Sequence, residues 1–356
     1  MKRLKTLAAD ARGRNRSREG GNWTIRMRRR RFIALFMATA SLWPIRAPAI
    51  EPGKLPLVGV LMPGSESDTN RRQRLAAFRE ALARAGWADG TSIRIEVRWG
   101  GEDAATFASM ATELAALNPA VLFCDGTPAL QALKDKATSI PIVFVAVLDP
   151  IGQGFAKSLA RPGGNITGFS AFDPSLSGKW LEFLAQITPP IRRLAILYNP
   201  ATAPYAAAMI DPIVEAAPHF SVTVQSLAVD GVSDIETGIA EAARSPDAGL
   251  LVLPSTFTVS HRARIIDAVA KNRLPAIYFF TYFATDGGLM SYGNNAVDQH
   301  RRAAGYIDRI IKGENPGTLP IQRPVKFDLV INLKTAKALG VTIAPSLIAL
   351  ADEVIE

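Results

Sequence analysis

The chain predicts an α/β protein built as two doubly wound parallel-sheet lobes that face one another across a cleft. Three observations carry this reading. From Leu57 onward, short apolar and β-branched runs alternate with helix-length segments, the cadence of a parallel sheet flanked by helices. That cadence runs to about Ser170 and starts again at Arg193. The 356 residues, 48% of them hydrophobic, are enough for two cores.

Taken in order, the first series reads "LVGVLM" from Leu57, "IRIEVRW" from Ile93, "AVLFCD" from Ala120, "IVFVAVL" from Ile142 and "ITGFS" from Ile166. The second reads "RLAILYN" from Arg193, "FSVTVQSLAV" from Phe220, "GLLVLP" from Gly249, "PAIYFFT" from Pro275 and "LMSYG" from Leu289, with helices over Leu176 to Ile187 and Ser260 to Lys271. The two series repeat one local design. "VGVLMPGSESDTNRRQRLAAFREAL" and "LAILYNPATAPYAAAMIDPIVEAA" both run strand, proline with small polar residues, then helix, as do "VLFCDGTPALQALK" and "LVLPSTFTVSHRARII". In open parallel sheets ligands bind beyond the carboxyl ends of the strands, where loops lead into helix N-termini. Two such sheets set mouth to mouth make one cleft. The plainer alternative is that proline and small residues simply end strands and cap helices. Prolines 316, 320 and 324 mark an extended segment near the C-terminus, since each fixes φ and removes a donor.

The net charge of +9 invites a nucleic-acid partner, but its distribution argues against one. Thirteen of the 41 Lys and Arg, and two of the 32 acids, lie within residues 1–49, which leaves 28 basic and 30 acidic side chains for the rest. Residues 1–49 read as an export signal: four arginines, an apolar run from Phe32 to Trp43, then Ala47-Pro48-Ala49 in the small-x-small pattern of a cleavage site. A start at Met27 gives this leader an ordinary length, and a disordered basic tail is the alternative. The apolar run is too short for a membrane span, which needs about 20 residues, so no membrane insertion of the mature chain is expected. The single Cys124 has no partner for an internal disulfide and is expected in the core. No cysteine follows the leader as a lipid-anchor site, and the expected location is the periplasm.

Motifs for chemistry are missing. His219, His261 and His300 stand far apart, outside any metal-ligand spacing, and are expected at the surface. There is no GxSxG, GxxxxGK[ST] or GxGxxG; "GQGFAK" from Gly152 has Lys157 where a third glycine is required. No metal, no cofactor and no catalytic residue is expected, and the chain is read as a non-enzyme. The glycine-rich "DPIGQGFAKSLARPGGNITGFS" from Asp149 is therefore read as a cleft wall, with Gly163 and Gly164 turning the chain into the next strand.

"VLDPIGQGFAKSLARPGGNITGFS", "RLPAIYFFTYFATDGGLMSYGNN" and "IIKGENPGTLPIQRPVKFDLVINLKTAKALGVTIAPSLIALADEVIE" together resemble the ABC-transporter substrate-binding proteins of the tryptophan- and tyrosine-binding type, over roughly Leu57 to Glu356. The resemblance implies a periplasmic-binding-protein fold of the first type, with three crossovers as its hinge. These are expected near Ser170 to Asp173, near Gly287 to Ser291, and at the prolines 316 to 324. The resulting lobes are residues 55–171 plus 289–322 and residues 172–288 plus 323–356. It also implies capture of a small molecule, an aromatic or other amino acid among the candidates, for delivery to the permease subunits of an ABC importer by a monomer.

An amino-acid carboxylate calls for N–H groups at a helix start and a hydroxyl, and its ammonium calls for a carboxylate. Thr127 as the N-cap of "GTPAL" with Pro128, and Gly64 with Ser65 in "PGSES", supply the first; Asp149 or Asp286 supplies the second. Tyr205, Phe257 and Tyr282 offer rings for a planar group, with Thr256 beside Phe257. Two rivals stand on sequence alone: a periplasmic sensor that presents its ligand to a receptor, and an enzyme on the same scaffold.

Overall fold

The computed structural model describes residues 54–356; the expected export signal over residues 1–49 lies outside the described residues. The first winding consists of β1 (Leu57–Met62), α1 (Thr69–Arg84), β2 (Arg94–Trp99), α2 (Ala104–Ala116), β3 (Val121–Asp125), α3 (Thr127–Lys136), β4 (Ile142–Val147) and β5 (Ile166–Ser170). Its five strands are parallel, in the order β2-β1-β3-β4-β5. Alternate residues serve the two faces. Val58, Val60, Val121 and Phe123 pack with Phe78 and Leu82 of α1, while Leu61, Leu122 and Cys124 pack with Phe107 of α2 and Leu130 of α3. A sheet covered on both faces needs continuous apolar strands, and "VLFCD" is buried throughout.

The chain then crosses to α4 (Ser175–Leu184), whose Trp180 and Leu181 are fully buried in the second core. After a two-residue strand β6 (Ile187–Thr188) come β7 (Arg193–Tyr198), α5 (Ala206–Ala216), β8 (Thr223–Ala228), α6 (Val232–Ala242), β9 (Ala248–Val252), α7 (Thr256–Ser260), α8 (Arg262–Lys271), β10 (Ala276–Tyr278), α9 (Thr281–Thr285) and β11 (Met290–Asn294). These strands are parallel in the order β8-β7-β9-β10-β11, the same winding as the first sheet. The repeat read from the sequence is thus a repeat of topology. One predicted strand is shortened: residues 217–220 of "FSVTVQSLAV" and its approach form a 3₁₀ turn, and Ser221 at φ 56° delays the strand to Thr223.

β11 also corrects an expectation. The sequence reading places residues 289–322 in the first lobe, yet β11 lies in the second sheet between β10 and the antiparallel β12 (Phe327–Asn332). The chain returns to the first sheet only with α10 (Ala296–Ile311), which Asn295 caps through the Asp298 N–H at 2.7 Å and which buries Ala303, Tyr306 and Ile307 against Phe78 and Phe123. The second crossover therefore falls at residues 294–296. The extended segment beyond α10 runs along β5, with Ser170 N–H donating to the Gln322 carbonyl at 2.9 Å, before β12. α11 (Leu333–Leu339), β13 (Thr342–Ile343), α12 (Pro345–Ile348) and β14 (Glu353–Ile355) complete the second half, with β14 on the edge beside β12.

Gln299 of α10 ties these crossovers together. It is buried, its Nε2 donates to the Ser170 carbonyl at 2.7 Å, and its Oε1 accepts from Ala146 N–H at 3.3 Å. Trp180 Nε1 donates to the Tyr292 carbonyl at 2.8 Å, pinning the first crossover helix to β11. Gly163 and Gly164, at φ +71° and +68°, make the turn into β5 that the sequence predicts.

Candidate functional site

In each sheet the order reverses between the first and third strands of its winding, at β1/β3 and at β7/β9, which leaves a crevice at the carboxyl ends of those strands. The loops leaving these four strands meet. Pro63 follows β1, Gly126 to Pro128 follow β3, Thr202 and Tyr205 follow β7, and Pro254 to Thr256 follow β9. With Phe280 and Tyr282 after β10 they enclose a cavity of about 80 Å³. Arg71 and Val259 line both this cavity and an outer vestibule of about 510 Å³, whose walls include Ser65, Asp68, Glu102 and Ser260.

Reciprocal capping holds the α7 side of the cavity in shape. Ser255 Oγ accepts from Thr258 N–H at 3.1 Å, and Thr258 Oγ1 accepts from Ser255 N–H at 3.0 Å. Tyr205 stands beside it with its hydroxyl donating to the Pro254 carbonyl at 2.7 Å, and burial pushes its phenol up from the ordinary value. Ser260 donates to Glu102 at 2.6 Å, a direct hydrogen bond from the second half of the molecule to the first.

The cavity's charge sits on one wall. Arg74 lies on the buried side of α1, about two turns before Leu82 and one turn before Phe78. Its Nη1 reaches Asp125 Oδ2 at 3.4 Å, and its guanidinium carbon lies 5.6 Å and 5.9 Å from the ring centroids of Phe280 and Tyr282. Those two rings stack at 5.2 Å and 13°. On the far side of Asp125, His300 of α10 places Nε2 at 3.4 Å from the same Oδ2. His300 Nδ1 is 2.7 Å from the Ala296 carbonyl, which only accepts, so that nitrogen carries a proton. Burial disfavours a charged Asp125, but contact with His300 and the charges of His300, Arg74 and Arg71 overcome it and lower its pKa to about 2.

The expected site residues separate into three groups. Thr127, Pro128, Tyr205, Thr256 and Tyr282 line the inner cavity, and Gly64 and Ser65 line the vestibule. Asp149, Phe257 and Asp286 line neither. Asp149, at φ 45°, turns its carboxylate back to accept from Gly152 N–H at 2.9 Å; Phe257 packs edge-on against His261; Asp286 accepts from Arg262 at 2.7 Å. Thr127 is not the N-cap. Gly126 takes that place at φ +91°, and Thr127 begins the helix with its hydroxyl buried and without a hydrogen-bond partner. His300, expected at the surface, is fully buried because α10 folds its first turn onto β3.

Sequence reasoning missed Arg71, Arg74, Asp125, Phe280 and His300. A signal was present for Arg74 and Arg71. They continue the Leu75, Phe78, Leu82 stripe at helical spacing, so two arginines fall on the face of α1 that turns inward.

This architecture, two like-wound parallel sheets with a cavity between their carboxyl ends, is that of the type I periplasmic binding proteins. The family model described as ABC transporter substrate binding protein matches residues 66–355, and the chain belongs to that family. The tyrosine-binding protein of Clostridioides difficile (strain R20291) is 26% identical over 263 residues, 74% of this chain and 75% of that one. An ABC domain from Streptococcus pneumonia in complex with L-Trp has a similar fold, with TM-score 0.78 and 24% identity over 85% of this chain and all of the other. A periplasmic binding protein/LacI transcriptional regulator from Alkaliphilus metalliredigens complexed with D-xylulofuranose is more distant, at TM-score 0.54, 13% identity, and 77% and 96% coverage. The chain is a solute-binding protein of ABC transport. Among the described residues no helix is long and apolar enough to cross a membrane.

Proposed function

We propose that the chain is a monomeric periplasmic solute receptor that takes a small aromatic molecule into the cavity between its two sheets, performs no chemistry on it, and passes it to permease subunits. One observation carries this reading: the stacked rings of Phe280 and Tyr282, with the Arg74 guanidinium over them, form an aromatic wall of the cavity beside polar loop ends. Such a wall suits a planar ring, and the loop ends fix its substituents. The relatives named for tyrosine and crystallised with L-Trp support an aromatic ligand. In this reading the first lobe comprises residues 55–171 and 296–322, the second comprises the remainder, and the two close over the solute as a ligand-driven shift of population.

A thermal-shift panel tests the proposal. Ligand at a hundred times its Kd adds about 2.7 kcal/mol to stability, enough to raise the melting point by several degrees. L-tyrosine, L-tryptophan, aromatic acids, leucine and ribose form the panel. A shift confined to aromatic members is the expected result; a shift confined to leucine or ribose refutes the aromatic reading.

A further inference from the structure

The charge lining the cavity defines the ligand more narrowly than its rings do, on the premise that the cavity takes an aromatic solute. Among its lining residues stand two guanidiniums, Arg71 and Arg74, against one carboxylate, Asp125. That carboxylate is already held between Arg74 and His300. The acids of the vestibule are engaged too: Asp68 caps α1 through the Arg71 N–H and pairs with the Arg71 side chain at 3.5 Å, and Glu102 accepts from Ser260. Asp149 and Asp286, the two acids suited by sequence to an ammonium, point into their own turn and onto Arg262.

Donors, in contrast, are left over. Asp125 accepts from a single nitrogen of the Arg74 guanidinium and the Tyr282 hydroxyl meets the same group, which still leaves some of its five N–H groups to give. The Thr127 hydroxyl at the start of α3 is buried without a hydrogen-bond partner, next to the cavity it lines. A buried polar group with no partner is destabilising, and a ligand that supplies the partner removes that penalty. An incoming carboxylate finds a guanidinium fork, a hydroxyl and helix N–H groups. An incoming ammonium finds two guanidiniums and must compete for Asp125.

We infer that the preferred ligand is an aromatic carboxylate without an ammonium group, an aryl or arylalkyl acid, with its ring on Phe280 and its carboxylate on Arg74 and Thr127. This separates the chain from receptors for zwitterionic amino acids while retaining their fold.

Matched ligands on the wild-type protein test the inference by isothermal titration calorimetry: 3-(4-hydroxyphenyl)propanoate, L-tyrosine and tyramine, with indole-3-propanoate and L-tryptophan as a second pair. The members differ only in which charged groups they carry. The propanoates are expected to bind at least tenfold more tightly than the matching amino acids, and tyramine is expected not to bind. Tighter binding of either amino acid than its propanoate, or measurable binding of tyramine, overturns the inference and leaves the aromatic-solute reading intact. Failure of every member to bind overturns both.

Discussion

Replacing Asp125 by Asn tests the charged wall through stability, independently of any ligand. The carboxylate is 3% exposed and 3.4 Å from both Arg74 Nη1 and His300 Nε2. Asn keeps the shape but removes the charge that the Arg74 guanidinium faces. Losing one partner of a buried pair costs about 3–5 kcal/mol, because the other charge stays buried and uncompensated. Part of that difference must depend on pH. The pKa of Asp125 is lowered from the ordinary 3.8 to about 2 in the folded protein. At about 1.4 kcal/mol per pKa unit this depression corresponds to about 2 kcal/mol. A depressed acid stabilises fully above its unfolded value and loses that contribution as pH falls through its folded value. The wild-type advantage should therefore hold from pH 7 to about pH 4 and shrink by about 2 kcal/mol toward pH 2. Urea unfolding of both proteins across this range, read as midpoint shifts at constant slope, measures it. Equal stabilities at pH 7, or an advantage that does not change between pH 5 and pH 2, refute the reasoning.

Two further outcomes follow from the cavity walls. Phe280→Leu removes the ring proposed to meet a planar ligand, a contact worth about 0.5–1.5 kcal/mol, so ligand affinity should drop up to about tenfold by calorimetry, and loss of the stacking on Tyr282 and of the contact with Arg74 should also lower the melting point by a few degrees; unchanged affinity removes that ring from the site. Ser260→Ala breaks the hydrogen bond to Glu102 that joins the two halves across the vestibule. Because both side chains are partly solvated, stability should change by less than about 1 kcal/mol, but ligand dissociation in stopped flow should quicken several-fold, and an unaltered rate shows that the contact does not hold the cleft.

Much of the fold was legible because strand and helix periodicity are local. Each strand of the first winding, from Leu57–Met62 to Ile166–Ser170, lies within a residue or two of its reading, and the recurrence of strand, small polar loop and helix proved to be one winding order used twice. What failed was long-range. "LMSYG" reads as a strand wherever it is placed, and only its pairing between β10 and β12 shows which sheet owns it.

The same division runs through the site. The loops after the strands could be named from sequence because proline, glycine and small polar residues mark them, and seven of the ten expected residues lie on the cavity or its vestibule. The charge pattern could not. Whether an acid faces a cleft depends on the turn that carries it: Asp149 at φ 45° closes on Gly152, and Asp286 is drawn onto Arg262 from a neighbouring helix. Asp125 looked like the end of a core strand and His300 like a polar residue at a helix start until α10 folded back on β3. Sequence by itself determined two sheets and the loops that line the cavity between them, because those follow from neighbouring residues. Tertiary structure alone decided the cavity's charge, because burial and pairing bring α1, β3, α10 and the loop after β10 together from positions up to 226 residues apart.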